Sequence, residues 1–246
     1  MYKYVLRRKE MKIDVILTAA DIQPEKIKDK IVVIIDVLRA TSVMITALAN
    51  GAKAVYPYKD IESVLENSKK SKSFVLGGER KGLKIEGFDF GNSPLEYTRE
   101  AVEGKDMFMT TSNGTRAIEN SANGSKKLFI AAFLNVESVA EKILKENDDT
   151  VIVCSGTDNN FSLDDALCAG EIIKRVKEKN KNVYLTDISL AMKKLAETSI
   201  SIENTLEGSK HFEYLKTIGF YGDMNHCFTM DMFDIVPEYK NGVITK

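Results

Sequence analysis

Residues 31–42, Ile31-Val32-Val33-Ile34-Ile35-Asp36-Val37-Leu38-Arg39-Ala40-Thr41-Ser42, decide the fold. Five β-branched residues in a row read as a strand buried on both faces, the habit of a parallel sheet covered by helices. A carboxylate follows directly, then an arginine, then small residues that start a helical pattern. In open α/β sheets ligands gather at this carboxyl end of the strands. Asp36 is therefore a candidate ligand for a hard cation or a nucleophile toward phosphorus, and equally a cap for the next helix.

Similar strand-like runs occur at Ile13–Leu17, Ala54–Tyr58, Phe74–Leu76, Met107–Thr110, Leu128–Ala132, Val151–Cys154 and Val183–Leu185. Helical periodicity marks Ile61–Lys69, Val136–Lys145 and Asp164–Glu178. Strands alternating with amphipathic helices predict an α/β fold, a three-layer α/β/α arrangement with a largely parallel or mixed sheet. Thr41–Tyr56 aligns without gaps on Gly114–Phe129, with Ile, Ala, Asn, Gly and Lys coinciding at 45, 49, 50, 51 and 53 against 118, 122, 123, 124 and 126. The shared order of elements points to duplicated βαβ-type units, with copies near 31–70 and 105–145. Such units would put two strand-to-helix loops at one end of the sheet. Residues 1–10 read as an extension, since Met11 opens a strand-like run; residues 11–246 carry the fold. The segment Ser209–Lys246 is less regular and is expected to pack back on the sheet.

The chain has 246 residues with 35 Lys+Arg against 36 Asp+Glu, so any anion site must be local. That balance gives no general case for binding nucleic acid or a membrane surface. No apolar run approaches the length of a transmembrane helix. Cys154, Cys168 and Cys227 lack paired spacing, which favours a reducing cytoplasm over a disulfide framework.

Thr110-Thr111-Ser112-Asn113-Gly114-Thr115-Arg116 is the loop related by the repeat to Asp36. Hydroxyls, an amide, a glycine and an arginine at a helix start suit an anion, although Ser/Thr-rich loops are commonly turns and caps. Gly77-Gly78-Glu79-Arg80-Lys81-Gly82 reads as a tight loop, neither a P-loop nor a dinucleotide fingerprint. Read alone it is a solvated turn, with Glu79 also a candidate metal ligand and Arg80 a phosphate clamp. After Val151–Cys154 come Ser155-Gly156-Thr157 and Asp164-Asp165, where Asp164 reads as an N-cap and Asp165 as facing inward. His211 and His226 lack partners at catalytic or metal-binding spacing. Carboxylates and arginines are left for catalysis, which suits phosphoryl transfer with Mg²⁺.

Together, Asp36-Val37-Leu38-Arg39-Ala40-Thr41-Ser42, Gly78-Glu79-Arg80, Gly87-Phe88-Asp89, Gly91-Asn92-Ser93-Pro94, Ser112-Asn113-Gly114-Thr115-Arg116-Ala117 and Asp165 with Ala169-Gly170 resemble the 2-phosphosulfolactate phosphatase family. The tail from Gly219-Phe220 through Asp223 and Asp231 to Val236-Pro237 fits as well, so the resemblance runs from about Ile13 to Pro237. In Cys154-Ser155-Gly156 an alanine is usual before the glycine, and Asp164 stands where a glutamate is usual. The resemblance implies a soluble, Mg²⁺-dependent phosphomonoesterase that hydrolyses 2-phospho-3-sulfolactate, a step of coenzyme M synthesis. It places catalysis on Asp36, Arg39 and Arg80, and the metal on Asp36, Glu79 and Asp165. Substrate contacts fall on Asn92, Ser93, Ser112, Asn113, Gly114, Thr115, Arg116, Ser155 and Gly156. The expected partner is a small anionic substrate, with homo-oligomerisation left open. A phosphatase for another phosphorylated 2-hydroxy acid, or a non-catalytic module that binds a phosphorylated anion, are the competing readings.

Overall fold

The computed structural model describes residues 10–246. The expected extension, residues 1–10, lies outside the described residues except for Glu10. Eleven strands form one sheet: β1 (Lys12–Ile16), β2 (Ile31–Ile35), β3 (Ala54–Pro57), β4 (Phe74–Arg80), β5 (Leu83–Lys84), β6 (Asp106–Thr110), β7 (Lys127–Ala131), β8 (Thr150–Cys154), β9 (Tyr184–Leu185), β10 (Glu238–Lys240) and β11 (Val243–Thr245). Their spatial order is β5-β4-β6-β3-β11-β10-β7-β2-β8-β1-β9.

The reading of residues 31–35 holds. β2 pairs in parallel with β7 on one side and β8 on the other, and all five of its residues are buried. Alternation sends Val32 and Ile34 to one face, against Val43, Ile45 and Ile118. Ile31, Val33 and Ile35 go to the other face, against Val139, Ile143 and Ile172. Each fully buried Val or Ile stabilises the sheet by roughly 1.5–3 kcal/mol. A charge at Val33 would destroy both the packing and the layer contact.

The sheet is mixed. β7, β2, β8, β1 and β9 form one parallel block, and β3, β6 and β4 form another. Between them the hairpin β10–β11 pairs antiparallel with β7 and with β3. Outward from this hairpin, β3 corresponds to β7, β6 to β2 and β4 to β8. The blocks therefore run in opposite senses, which corrects the expectation that the two related loops share one sheet end. The two loops nevertheless meet, Gly114 lying against Ala40 and Asp36.

Two further readings change. Gly77 and Gly78 lie in β4, not in a loop, because the strand continues to Arg80. A β-carbon at Gly77 would lie 2.1 Å from the Tyr97 hydroxyl, and one at Gly78 would lie 2.3 Å from the Thr110 carbonyl oxygen. The glycines mark close approach, not a turn. The C-terminal segment does pack on the sheet, through the helices Lys210–Thr217 and Tyr221–Cys227 and the hairpin at its centre.

Candidate active site

Thr41 winds the loop after β2. Its hydroxyl donates to the Asp36 carbonyl at 2.8 Å and accepts the Asp36 N–H at 3.0 Å. Asp36 Oδ1 accepts the Ala40 N–H at 3.0 Å, so the carboxylate does cap the helix Ala40–Ala49. No donor among the described residues reaches its Oδ2, which leaves one oxygen for chemistry.

After β6, Thr111 and Thr115 serve the backbone. The Thr115 N–H goes to Thr111 Oγ1 at 3.2 Å, and Thr115 Oγ1 donates to the Thr111 carbonyl at 2.8 Å. Gly114 opens the helix Gly114–Ala122 and lies against the first loop, with room for no β-carbon between Ala40 and Asp36. The two loops thus meet face to face.

Glu79 ties in the β4–β5 hairpin. Its Oε1 accepts the Ser112 N–H and its Oε2 the Gly82 N–H, both at 2.7 Å. Arg80, one residue on in the same strand, points the opposite way. It donates to Thr110 Oγ1 at 3.0 Å and to the carbonyls of Glu79 and Lys59.

The helix after β8 is Leu163–Lys179, and its N-cap is Ser162, two residues before the expected Asp164. Ser162 Oγ hydrogen-bonds Asp164. Asp165 faces inward but has both oxygens engaged, by the Val37 N–H at 2.9 Å and the Gly156 N–H at 3.0 Å. It fastens the β2 loop to the β8 loop.

These elements enclose a cavity of about 450 Å³. Asp36, Arg39, Glu79, Asn92, Ser112 and Asn113, all expected from the sequence, line it. Arg80, Ser93, Gly114, Thr115, Arg116, Ser155, Gly156 and Asp165 do not. Gly114, Gly156 and Asp165 shape the loops around it. Ser155 Oγ and the Nε and Nη2 atoms of Arg116 are buried without a hydrogen-bond partner among the described residues.

The opposite wall comes from the C-terminal helices and was not legible in the sequence. Lys210, His211, Tyr214 and Leu215 line it, with Lys81 from the hairpin turn. His211 Nε2 donates to the Leu38 carbonyl at 2.8 Å. Arg39 is 2% exposed, pairs with Asp223 at 2.5 Å, donates to the Gly82 carbonyl and stacks 3.9 Å from the Phe220 ring centre. The other Asp223 oxygen accepts from Ser93 Oγ at 2.7 Å. No local spacing announces partners more than 120 residues away.

The floor is electrostatically tense. Burial pushes the Asp36 carboxyl up to about 6, with Asp164 and Glu79 adding to the rise while the Ala40 N–H and His211 oppose it. Burial, then Asp164 and Asp36, push Asp165 well above the usual carboxylate range. Among the described residues no three His, Cys, Asp or Glu side chains are grouped as metal ligands. Three carboxylates, Asp36, Glu79 and Asp158, do line the cavity, and that negative charge, with acceptor capacity left on Asp36, fits a divalent cation there. Mg²⁺ commonly takes one or two carboxylates, with water and substrate phosphate completing its shell. Asp165 does not fit that role, because it lies outside the cavity lining, whereas Glu79 lies in it.

The model of the 2-phosphosulpholactate phosphatase family matches residues 16–242. A Clostridium beijerinckii protein named probable 2-phosphosulfolactate phosphatase is 49% identical over 237 residues, covering 96% of this chain and 99% of its own. Proteins of the same name from Clostridium tetani and Clostridium acetobutylicum are 49% and 47% identical over 235 residues, each covering 95% of this chain and all of its own.

Proposed function

The chain belongs to the 2-phosphosulpholactate phosphatase family, a family of phosphoric monoester hydrolases, and on that premise we propose that it hydrolyses 2-phospho-3-sulfolactate to 3-sulfolactate and phosphate with Mg²⁺ in this cavity. One observation carries the assignment to the site: the Asp36 loop and the Ser112–Gly114 loop converge there with Glu79, at the strand ends, beneath a cationic wall. Mg²⁺, held by Asp36 and Glu79, would supply charge neutralisation on the phosphoryl oxygens.

The chain's own groups divide the remaining work. Ser112 and Asn113 sit where they can orient phosphoryl oxygens. Asp36 attacks through Oδ2 in this reading, while its Oδ1, which among the described residues accepts only the Ala40 N–H, keeps a lone pair that could meet the cation. Oδ2 forms a bond to phosphorus as the bond to the substrate's 2-oxygen breaks, and the released alkoxide takes a proton from solvent water. Water then hydrolyses the aspartyl phosphate, regenerating Asp36 and releasing phosphate. Asp165 positions Asp36 by holding the following N–H, that of Val37.

Cytoplasmic location rests on three free, buried cysteines, and a place in coenzyme M synthesis rests on the family resemblance alone. No helix among the described residues is long and apolar enough to cross a membrane. The test is phosphate release from 2-phospho-3-sulfolactate and from other phosphorylated 2-hydroxy acids, with and without Mg²⁺. Metal-dependent release fastest from the sulfonated ester is the expected result. No release from any ester would leave an anion-binding module.

A further inference from the structure

Three carboxylates line the cavity, Asp36 and Glu79 at the floor and Asp158 in the loop after β8, and the lining arginine, Arg39, is neutralised by Asp223. Arg80 and Arg116, the other arginines expected to meet an anion, lie outside the lining. The cationic side chains left facing the cavity are those of Lys81 and Lys210, beside His211. All three are on one wall.

That wall is composite. Lys81 is in the β4–β5 turn, and Lys210 opens the helix Lys210–Thr217. Tyr214, one turn along that helix, donates its hydroxyl to the Lys81 carbonyl at 3.0 Å and joins the two parts. Neither lysine ammonium has an ion-pair or hydrogen-bond partner among the described residues. Lys126, Lys179 and Lys193, on the outer surface, are each paired with a carboxylate. Two uncompensated ammonium groups at the rim of a cavity with an acidic floor attract an anion to the rim.

Resting on the phosphatase reading, we infer that Lys81 and Lys210 hold the sulfonate end of the substrate while its phosphoryl group lies at the floor. The substrate carries its phosphoryl group on the central carbon, between a carboxylate and the sulfonate arm, and this polarity turns the sulfonate arm toward the wall. The floor carboxylates repel its sulfonate, and the wall draws it in. A phosphate ester with no second anion gains nothing from the wall, so the two lysines determine specificity and take no part in bond breaking. Lysine suits the task, since a mobile point charge accepts a three-fold sulfonate without the planar match that arginine makes.

The experiment replaces both residues, Lys81→Met with Lys210→Met, and a second protein carries Lys81→Arg with Lys210→Arg. Both lysines are exposed, and unchanged thermal unfolding confirms the fold. Calorimetric titration in Mg²⁺ uses 3-sulfolactate and inorganic phosphate as separate probes. Sulfolactate affinity should fall about tenfold in the Met protein, as expected for two solvent-screened ion pairs, and be kept in the Arg protein. Phosphate affinity should not change. Unchanged sulfolactate affinity, an equal loss for phosphate, or no sulfolactate binding by the unmodified enzyme would each overturn the assignment. Hydrolysis separates it from the parent reading. An enzyme that cleaves 2-phospho-3-sulfolactate with the same KM in the Met protein keeps the activity and loses the lysine role. One that binds sulfolactate through the lysines but cleaves nothing keeps the anion site and loses the activity.

Discussion

Gly114 lies against Asp36 so closely that a β-carbon at 114 would sit 2.8 Å from Asp36 Oδ2 and 2.6 Å from the β-carbon of Ala40. The contact joins the two loops related by the sequence repeat, and it sets the position of the free Asp36 oxygen. Alanine would favour the helix by about 1 kcal/mol, but forcing the loops apart costs roughly 1–3 kcal/mol. Gly114→Ala should therefore change the unfolding midpoint little while lowering kcat/KM about 100-fold, since small displacements at a reacting centre are costly. Steady-state kinetics beside thermal unfolding would show the split. Wild-type kinetics would mean that the loops are free to separate.

Asp36 opposes stability at the pH where it works. Its folded pKa, about 6, lies above the ordinary 3.8, so the folded state binds the proton more tightly. The resulting stabilisation is complete below pH 3.8 and is lost as pH rises through 6. Without divalent cations, Asp36→Asn should exceed the unmodified protein in stability by on the order of 3 kcal/mol at pH 7.5, with little advantage at pH 4. Activity should disappear. Denaturant titrations at both pH values check the sign, and a variant that is less stable at pH 7.5 would contradict it.

Glu79→Gln keeps one acceptor and loses the charge. Magnesium affinity by calorimetry should fall at least about tenfold in this variant and in Asp36→Asn. Equal affinity in all three proteins would take the cation away from these carboxylates.

The Arg39–Asp223 pair is buried, so removing one partner leaves an uncompensated charge. Asp223→Asn should cost about 3 kcal/mol in equilibrium unfolding. Because Ser93 and the Tyr221–Cys227 helix share this pair, the loss should also raise KM. A stability change below about 1 kcal/mol would show that Phe220 and the Gly82 carbonyl suffice to hold Arg39.

Borohydride added during turnover should convert an acyl phosphate at Asp36 to homoserine, read by peptide mass. If nothing is trapped and no phosphate passes to added alcohols, water is the nucleophile and Asp36 only holds the metal.

How much of this was legible depended on range. β2 could be read because five buried β-branched residues follow one another, and Asp36 because it comes straight after them. Ser112, Asn113 and Gly114 followed by alignment to that loop. Glu79 lines the cavity and Arg80 does not because they sit on a strand, which sends neighbours to opposite faces, and not on the loop that their glycines suggest. The two glycines concealed that strand, since Tyr97 and Thr110 need the space a β-carbon would take. Asp165 was read as open to a cation because its acceptors are bound to Val37 and Gly156, pairings that only the fold creates. Lys210 and His211 carry no local motif. The His211 contact with Leu38 spans 173 residues.

The hairpin at the middle of the sheet governs how this protein must be assembled. β3 pairs with β6 and β7 with β2, but the facing edges of β3 and β7 are joined only when Glu238–Lys240 and Val243–Thr245 arrive. Pairings such as Val55 with Ile244 close very long loops, and contacts of that kind slow folding. Until then two half-sheets present unpaired edges, which are templates for association with other chains. A protein cut before Glu238 would thus lose its seam instead of a dispensable tail, and should accumulate as aggregate and not as a slightly shorter enzyme.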